Sequence, residues 1–266
     1  SGICILPSGV SFHKLSDCKS NAVIKFVGCV VHKGFLYIMQ EPMELNIDLR
    51  KTDAALKYRS LSGQAKANIM LDIIAKFEKL HARKIIHGNI QPSNLVMKQL
   101  DFVDIRITNF ELAGSPGETN LEDNIIDKGN IYYIPPEKRE TFELSVDYDI
   151  YSLAVTFANL EFDMQRYEYK SENSDCFNED IEVSEHCFAN YRKAVLEIFN
   201  DNNQTALLAD VMKKAMDLEP SKRFQSMKLF GDAIKAVLEK LPSVAKAKGA
   251  NRILSEMEGV ASKVAI

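Results

Sequence analysis

Predicted strands cluster in the first part of this chain, and predicted helices fill the second part. From about Asn21 to Gln40, β-branched and aromatic residues alternate around a turn at His32, Lys33 and Gly34, which predicts a hairpin with one buried face. From Ser62 to Arg83, apolar residues recur every three or four positions, which predicts an amphipathic helix capped by Ser62. One predicted helix therefore follows the predicted hairpin.

The later elements keep this order. Two short strands are predicted at Leu95 to Lys98 and at Ile105 to Thr108, with a polar turn between them. Apolar spacings then predict helices at Tyr151 to Leu160, Phe188 to Phe199, Thr205 to Met216, Met227 to Leu238 and Ile253 to Val264. The polar run from Tyr167 to Asp180 is predicted to be a loop or an insertion.

Composition excludes several classes of protein. The net charge of −4 gives no basic surface for nucleic acid or for an anionic membrane. Apolar runs are far too short for a membrane span. The five cysteines are odd in number and lack C-x-x-C spacing, which argues against a disulfide framework or a zinc site. We therefore expect reduced cysteines in an intracellular, cytoplasmic chain.

Five segments of the chain resemble sequence patterns of protein kinases, and they occur in the same order. They are IIHGNIQPSNLVM at 85–97, IRITNFELA at 105–113, GNIYYIPPEK at 129–138, VDYDIYSLAV at 146–155 and DLEPSKRFQS at 217–226. In the family they correspond to the catalytic loop, the metal-binding loop, the end of the activation segment, the central helix and an arginine-bearing loop. The resemblance covers roughly Asn21 to Leu238.

This resemblance implies an α+β, protein-kinase-like fold with a mostly helical C-lobe and a truncated or incomplete β N-lobe. Residues 1–43 would form a partial N-lobe, namely the hairpin and a hinge-like segment. Residues 44–240 would form the C-lobe, and residues 241–266 a C-terminal helical extension. No G-x-G-x-x-G occurs, and the first glutamate is Glu41, so the family's pair of a strand lysine and a helix glutamate is not expected.

Positions with a structural role in the family are retained. Glu137 and Arg223 match a buried ion pair that ties the activation segment to the helical floor. Asp149 matches a helix aspartate that accepts hydrogen bonds from the catalytic-loop turn, and His87 matches the histidine packed there. The resemblance implies an architectural role for these four residues.

Positions with a chemical role in the family are changed. Asn89 replaces the catalytic-loop aspartate, and Asn109 replaces the metal-binding aspartate, whose carboxylate is the better ligand for Mg²⁺. Gln91 replaces the loop lysine, and Glu111 replaces a glycine beside the expected phosphate path. Asn94 alone matches the family pattern, as a second metal ligand, and is interpreted as structural. No catalytic residue, cofactor or metal is therefore expected.

These changes predict a catalytically inactive pseudokinase, not an enzyme, that acts as a protein-binding scaffold or an allosteric regulator. Its protein partners would cover the exposed edge and apolar face of the incomplete N-lobe. The alternative is an unconventional kinase-fold transferase with a relocated base. Candidate carboxylates for that base are Asp101, Asp104, Glu111 and Glu118, which otherwise would be solvated loop charges.

The C-terminal segment offers a second candidate docking surface. Ile253, Met257, Val260 and Val264 are spaced by four, three and four residues, which places them on one face of a helix. That face could pack on the C-lobe, or it could bind a partner protein.

Overall fold

The computed structural model describes residues 22–33, 35–43, 45–46, 57–58, 60–99, 102–119, 133–138, 141–161, 193 and 208–240. The helices predicted at 188–199 and 253–264 fall outside this part of the chain, apart from residue 193. Within the described residues, no helix is both long enough and apolar enough to cross a membrane.

The first described element is the predicted hairpin. Strand β1 (Phe26–His32) pairs antiparallel with strand β2 (Phe35–Gln40), and the register shifts by a bulge between Phe26 and Gly28. Lys33, in the turn, has a left-handed backbone with φ of 51°. Such a backbone matches the tight hairpin turns that suit the twist of the flanking strands. The predicted hairpin is confirmed, but the predicted buried face is wrong, because β1 is exposed along most of its length.

A small second sheet joins the hairpin to the rest of the molecule. Strands β3 (Leu45–Asn46), β4 (Leu95–Met97) and β5 (Arg106–Ile107) are antiparallel in the order β3-β4-β5. The N–H of Ile24 donates to the carbonyl of Ile107 at 3.0 Å, and the N–H of Ile107 donates to the carbonyl of Ala22 at 2.8 Å. The segment before β1 is therefore bonded to β5.

Two amphipathic helices pack against each other in the helical part. Helix α1 (Gly63–His81) begins where the Ser62 hydroxyl accepts the N–H of Ala65 at 3.2 Å, as the sequence predicted. It packs against the last described helix, α4 (Met227–Leu238). A Cβ built at Gly231 of α4 would lie only 3.2 Å from Cγ2 of Ile74, so glycine permits this close contact.

Helix α2 (Val146–Glu161) is the centre of the core. All ten residues from 151 to 160 are buried, so the helix has no solvent-facing side over this length. It packs against α3 (Ala209–Ala215) and α4. The architecture is a helical core with small antiparallel sheets at one end, which confirms the predicted α+β class.

Candidate functional site

The catalytic-loop region is organised by one buried carboxylate. Asp149, in the first turn of α2, is fully buried and accepts the backbone N–H groups of His87 at 2.8 Å and Gly88 at 3.0 Å. Its Oδ2 also lies 2.8 Å from Nε2 of His81 at the end of α1. The carboxylate thereby fixes the turn that precedes residue 89.

His87 is held as a neutral ring. The N–H of Asn89 donates to its Nδ1 at 3.2 Å, so its Nε2 carries the proton and donates to the carbonyl of Thr108 at 3.0 Å. Burial lowers the pKa of His87 below its ordinary value, although the Asp149 charge and the Thr108 bond oppose this. The ring packs edge-on against Phe110, with centroids 4.9 Å apart. This contact connects the catalytic loop to the loop of Asn109.

Four amide side chains line the expected catalytic position. Asn89 is 7% exposed, and its side-chain oxygen accepts Nε2 of Gln91 at 3.1 Å. Nδ2 of Asn94 donates to the backbone carbonyl of Asn89 at 2.7 Å. Nδ2 of Asn109 donates to Oδ1 of Asn94 at 3.4 Å, from a left-handed backbone with φ of 60°. The structure thus brings together these four predicted positions in one hydrogen-bonded chain.

This amide chain fits Mg²⁺ poorly. Proteins usually bind Mg²⁺ through carboxylates that replace some of its tightly held water, and neutral amides offer less compensation. Part of the amide oxygen capacity is also used by neighbouring amides. Among the described residues, no group of three or more His, Cys, Asp or Glu side chains could hold a metal ion. Glu111, two residues beyond Asn109, is exposed.

Arg223 connects the activation-segment end to the helical floor. Its side chain is fully buried and donates to both carboxylate oxygens of Glu137, at 2.7 and 2.8 Å. It also donates to Asp147 at 3.3 Å and to the carbonyl of Asp217 at 2.8 Å, and it lies over the Tyr151 ring. Asp147 was not predicted to take part, although its place two residues before Asp149 on a helix start was visible in the sequence.

Glu41 is a second residue that the sequence interpretation missed. Its carboxylate accepts the N–H of Lys25 at 2.7 Å, bonds to Arg106 and lies 3.2 Å from Nζ of Lys98. Burial alone would raise the pKa of Glu41, but the Lys25 and Lys98 bonds and the Arg106 charge outweigh it and hold that pKa below its ordinary value. Asp104 bonds to Arg106 in the same way, which lowers the pKa of the Asp104 carboxyl. The hinge-like segment is thus bonded to β4 and β5.

The remaining predicted site residues lie elsewhere. Ile253, Met257, Val260 and Val264 fall outside the described residues, so their docking role stays a prediction. The architectural roles of His87, Glu137, Asp149 and Arg223, and the bounds of the three predicted domains, also stay predictions.

Comparison with known proteins identifies the family. The protein kinase domain profile matches residues 10–233, which is most of the chain. A mitogen-activated protein kinase kinase of Aspergillus fumigatus is 26% identical over 62% of this chain and 32% of its own length. A probable serine/threonine-protein kinase of Clostridium perfringens is 25% identical over 78% of this chain and 28% of its own length. The chain belongs to the protein kinase family.

A further relative extends this likeness. A STE20 serine/threonine-protein kinase of Yarrowia lipolytica is 23% identical over 53% of this chain. The chain spans only 12% of that kinase and less than a third of the other two. The family and the names of these relatives point to a kinase enzyme, so the prediction that the chain is not an enzyme is wrong. The prediction was based on a few substituted positions, whereas the family match extends over residues 10–233.

We predict that Glu137 and Asp147 can partly replace each other as the counter-charge of Arg223. Glu137→Gln or Asp147→Asn alone should each lower the free energy of unfolding by about 1–3 kcal/mol, because one charged partner remains. The double variant should lose about 0.5–3 kcal/mol more than the sum, since the buried guanidinium then has no counter-charge. Urea unfolding measures this. Glu219→Gln, in an exposed ion pair of the same region, is the control and should change little. Additive losses would contradict the arrangement.

A second prediction concerns the amide chain. Mg²⁺ should not change the effect of ATP on the unfolding temperature of the wild-type chain, because Asn94 and Asn109 supply no carboxylate. Asn109→Asp should add a Mg²⁺-dependent rise of about 2–4 °C. Asn68→Asp, on the exposed side of α1, controls for added charge. A Mg²⁺-dependent rise in the wild-type chain would show that the amides bind the ion after all.

Proposed function

We propose that this kinase-family domain acts as a protein-binding scaffold or allosteric regulator, and that a cytoplasmic protein partner docks on the β1–β2 hairpin. The role is proposed in addition to the phosphoryl-transfer chemistry for which the family stands. The observation that supports it is the amount of apolar surface that the hairpin exposes.

Large apolar side chains of the hairpin are open to solvent. Val27 is 63% exposed and Val31 is 69% exposed, and Val30, Tyr37 and Met39 are each nearly half exposed. Val30 is paired with Tyr37 in the ladder, so these two side chains form one patch on one face. Contiguous exposed apolar patches are typical of interaction sites, and tyrosine and methionine are enriched in protein interfaces.

The hairpin strands also lack the charged residues and prolines that often protect a strand edge from pairing with other chains. Neither FVGCVVH in β1 nor FLYIMQ in β2 contains an acidic residue, a lysine, an arginine or a proline. Natural edge strands commonly carry such residues, because they discourage pairing with other chains. Strands of this composition favour association with a partner over exposure to water.

The hairpin is presented on a fixed base. Glu41 directly follows β2, and the segment just before β1 pairs with β5. A partner that binds a pre-organised surface loses less conformational entropy on binding than one that must order it. This rigidity supports the hairpin as a docking element.

We predict that a charge placed in the patch abolishes docking. Val30→Lys should weaken binding of a direct partner by about 30-fold or more, which corresponds to loss of an interface hot spot of about 2 kcal/mol. Partners are captured with the wild-type chain, identified, purified and titrated against each variant. Val103→Lys is the matched control, because Val103 is 73% exposed but lies in the turn between β4 and β5.

The result has two clear readings. Loss of binding by Val30→Lys with retention by Val103→Lys would support the hairpin as the docking site. Equal affinity of both variants for the purified partner would overturn it.

A second candidate function is phosphoryl transfer with a base other than residue 89, and the kinase names of the relatives favour it. Two candidate carboxylates are already bonded, since Asp104 pairs with Arg106 and Glu118 accepts the N–H of Ser115 at 2.7 Å. Asp101 lies outside the described residues. Glu111 is exposed and lies in the loop of Asn109, which makes it the best candidate.

We predict that Glu111→Gln lowers the rate of phosphate transfer from ATP to a protein substrate by about 10²- to 10⁴-fold, which is the usual effect of losing a positioned base. Transfer of labelled phosphate measures the rate. Glu78→Gln, an exposed position on α1, is the control and should leave it unchanged. An unchanged rate in Glu111→Gln would exclude Glu111 as the base.

A further inference from the structure

Leu144, a buried residue just before α2, fills space beside two glycines. A Cβ built at Gly88 would lie 2.7 Å from Cδ2 of Leu144, and a Cβ built at Gly114 would lie 2.7 Å from its Cδ1. Leu144 is only 2% exposed. The two methyl groups of one leucine therefore pack against the catalytic loop on one side and against the segment after residue 113 on the other.

Backbone hydrogen bonds hold the same residues together. Leu144 accepts the N–H of Gly117 at 2.8 Å and donates its own N–H to the carbonyl of Glu118 at 2.8 Å. Gly114 exchanges two hydrogen bonds with Ile86, at 2.8 and 2.9 Å. Residues 114–118 are thus bonded at one end to Ile86, just before His87, and at the other end to Leu144. The neighbouring bridge between Thr119 and Glu143 extends this pairing.

We propose that Leu144 is a latch that holds residues 114–119, the start of the activation segment, closed on the catalytic loop without any phosphorylation. Its contacts are apolar packing and neutral backbone hydrogen bonds, so closure requires no added negative charge. The single charge in the segment is already engaged, because the Glu118 carboxylate accepts the N–H of Ser115 at 2.7 Å.

Residue 88, in the catalytic loop, has no side chain that could bind a phosphate group, and the geometry there leaves no space for one. Gly88 has a left-handed backbone with φ of 69°, and a Cβ there would also lie 2.7 Å from the carbonyl oxygen of Leu112. A basic side chain at this position would need the space that Leu144 fills. In this conformation, a cationic side chain at residue 88 and the side chain of Leu144 could not both occupy this space.

Amide hydrogen exchange tests the latch in the full chain. The protein is treated with phosphatase, and mass spectrometry verifies that no phosphate remains. In this wild-type sample, the amides of Gly117 and Leu144 should be protected. Leu144→Ala should speed their exchange by about tenfold or more, because removing buried methyl groups weakens closure. Amides of Ile73 and Ile74 in α1 should keep their wild-type rates, which shows that the fold is intact.

Two further variants separate the latch from a general loss of stability. Gly114→Ala should speed the same exchange, since its methyl group would lie 2.7 Å from Cδ1 of Leu144 and 2.6 Å from Oε2 of Glu118. The effects of the double variant Gly114→Ala/Leu144→Ala should be smaller than the sum of the two single effects, because loss of the leucine removes one of the two collisions that the methyl group makes. Leu218→Ala, at an exposed leucine, should have no effect.

The outcomes are decisive in either direction. Protection in the phosphate-free chain that is lost in Leu144→Ala and in Gly114→Ala would establish the latch. Unprotected amides at 117 and 144 in the phosphate-free wild-type chain, or unchanged protection in Leu144→Ala, would overturn it.

Discussion

The buried carboxylate of Asp149 is the interaction on which the rest of the structure depends. It lies in the first turn of the most buried helix and bonds to the backbone of His87 and Gly88 and to the ring of His81. A carboxylate can be buried only when hydrogen-bond donors replace its lost water, and these three contacts do so. Because the donors come from the end of α1 and from the catalytic loop, satisfying the charge also fixes both elements on α2.

In the described residues, charged carboxylates and neutral amides lie in two different regions. Carboxylates serve the floor, where Asp149 anchors the loop and Glu137 and Asp147 surround Arg223. Amides line the cleft, where Asn89 and Asn109 stand at the positions that carry carboxylates in the kinase patterns. The residues of the floor match the kinase patterns in sequence, whereas the cleft positions carry neutral amides that bond to one another. This division explains how the chain can belong to the kinase family while its amide-lined positions fit Mg²⁺ poorly.

Much of the fold follows from local sequence patterns, and the parts that do not have physical reasons. The hairpin and α1 were predictable because alternation and a serine cap act over a few residues. Strand β3 has only two residues, too few for any periodicity, and it exists because Leu45 pairs with Met97 more than fifty positions away.

The same reasoning applies to the site. Its positions were predictable because they lie in short segments that resemble the family. Partners such as Asp147 and Leu144 were not, because nothing local shows that a side chain will meet Arg223 or two glycines. Family membership corrected the inference about enzymatic activity, since substitutions at single positions describe local chemistry only.

The contacts of Glu41 connect the base of the hairpin to β5. Its carboxylate is bonded to the segment before β1 and to Arg106 on β5, and β5 continues into Thr108, whose carbonyl accepts Nε2 of His87. These bonds form a continuous path from the base of the hairpin through β5 to the histidine beside the catalytic loop. A protein that pulls or twists the hairpin would act on the cleft mechanically, without touching it.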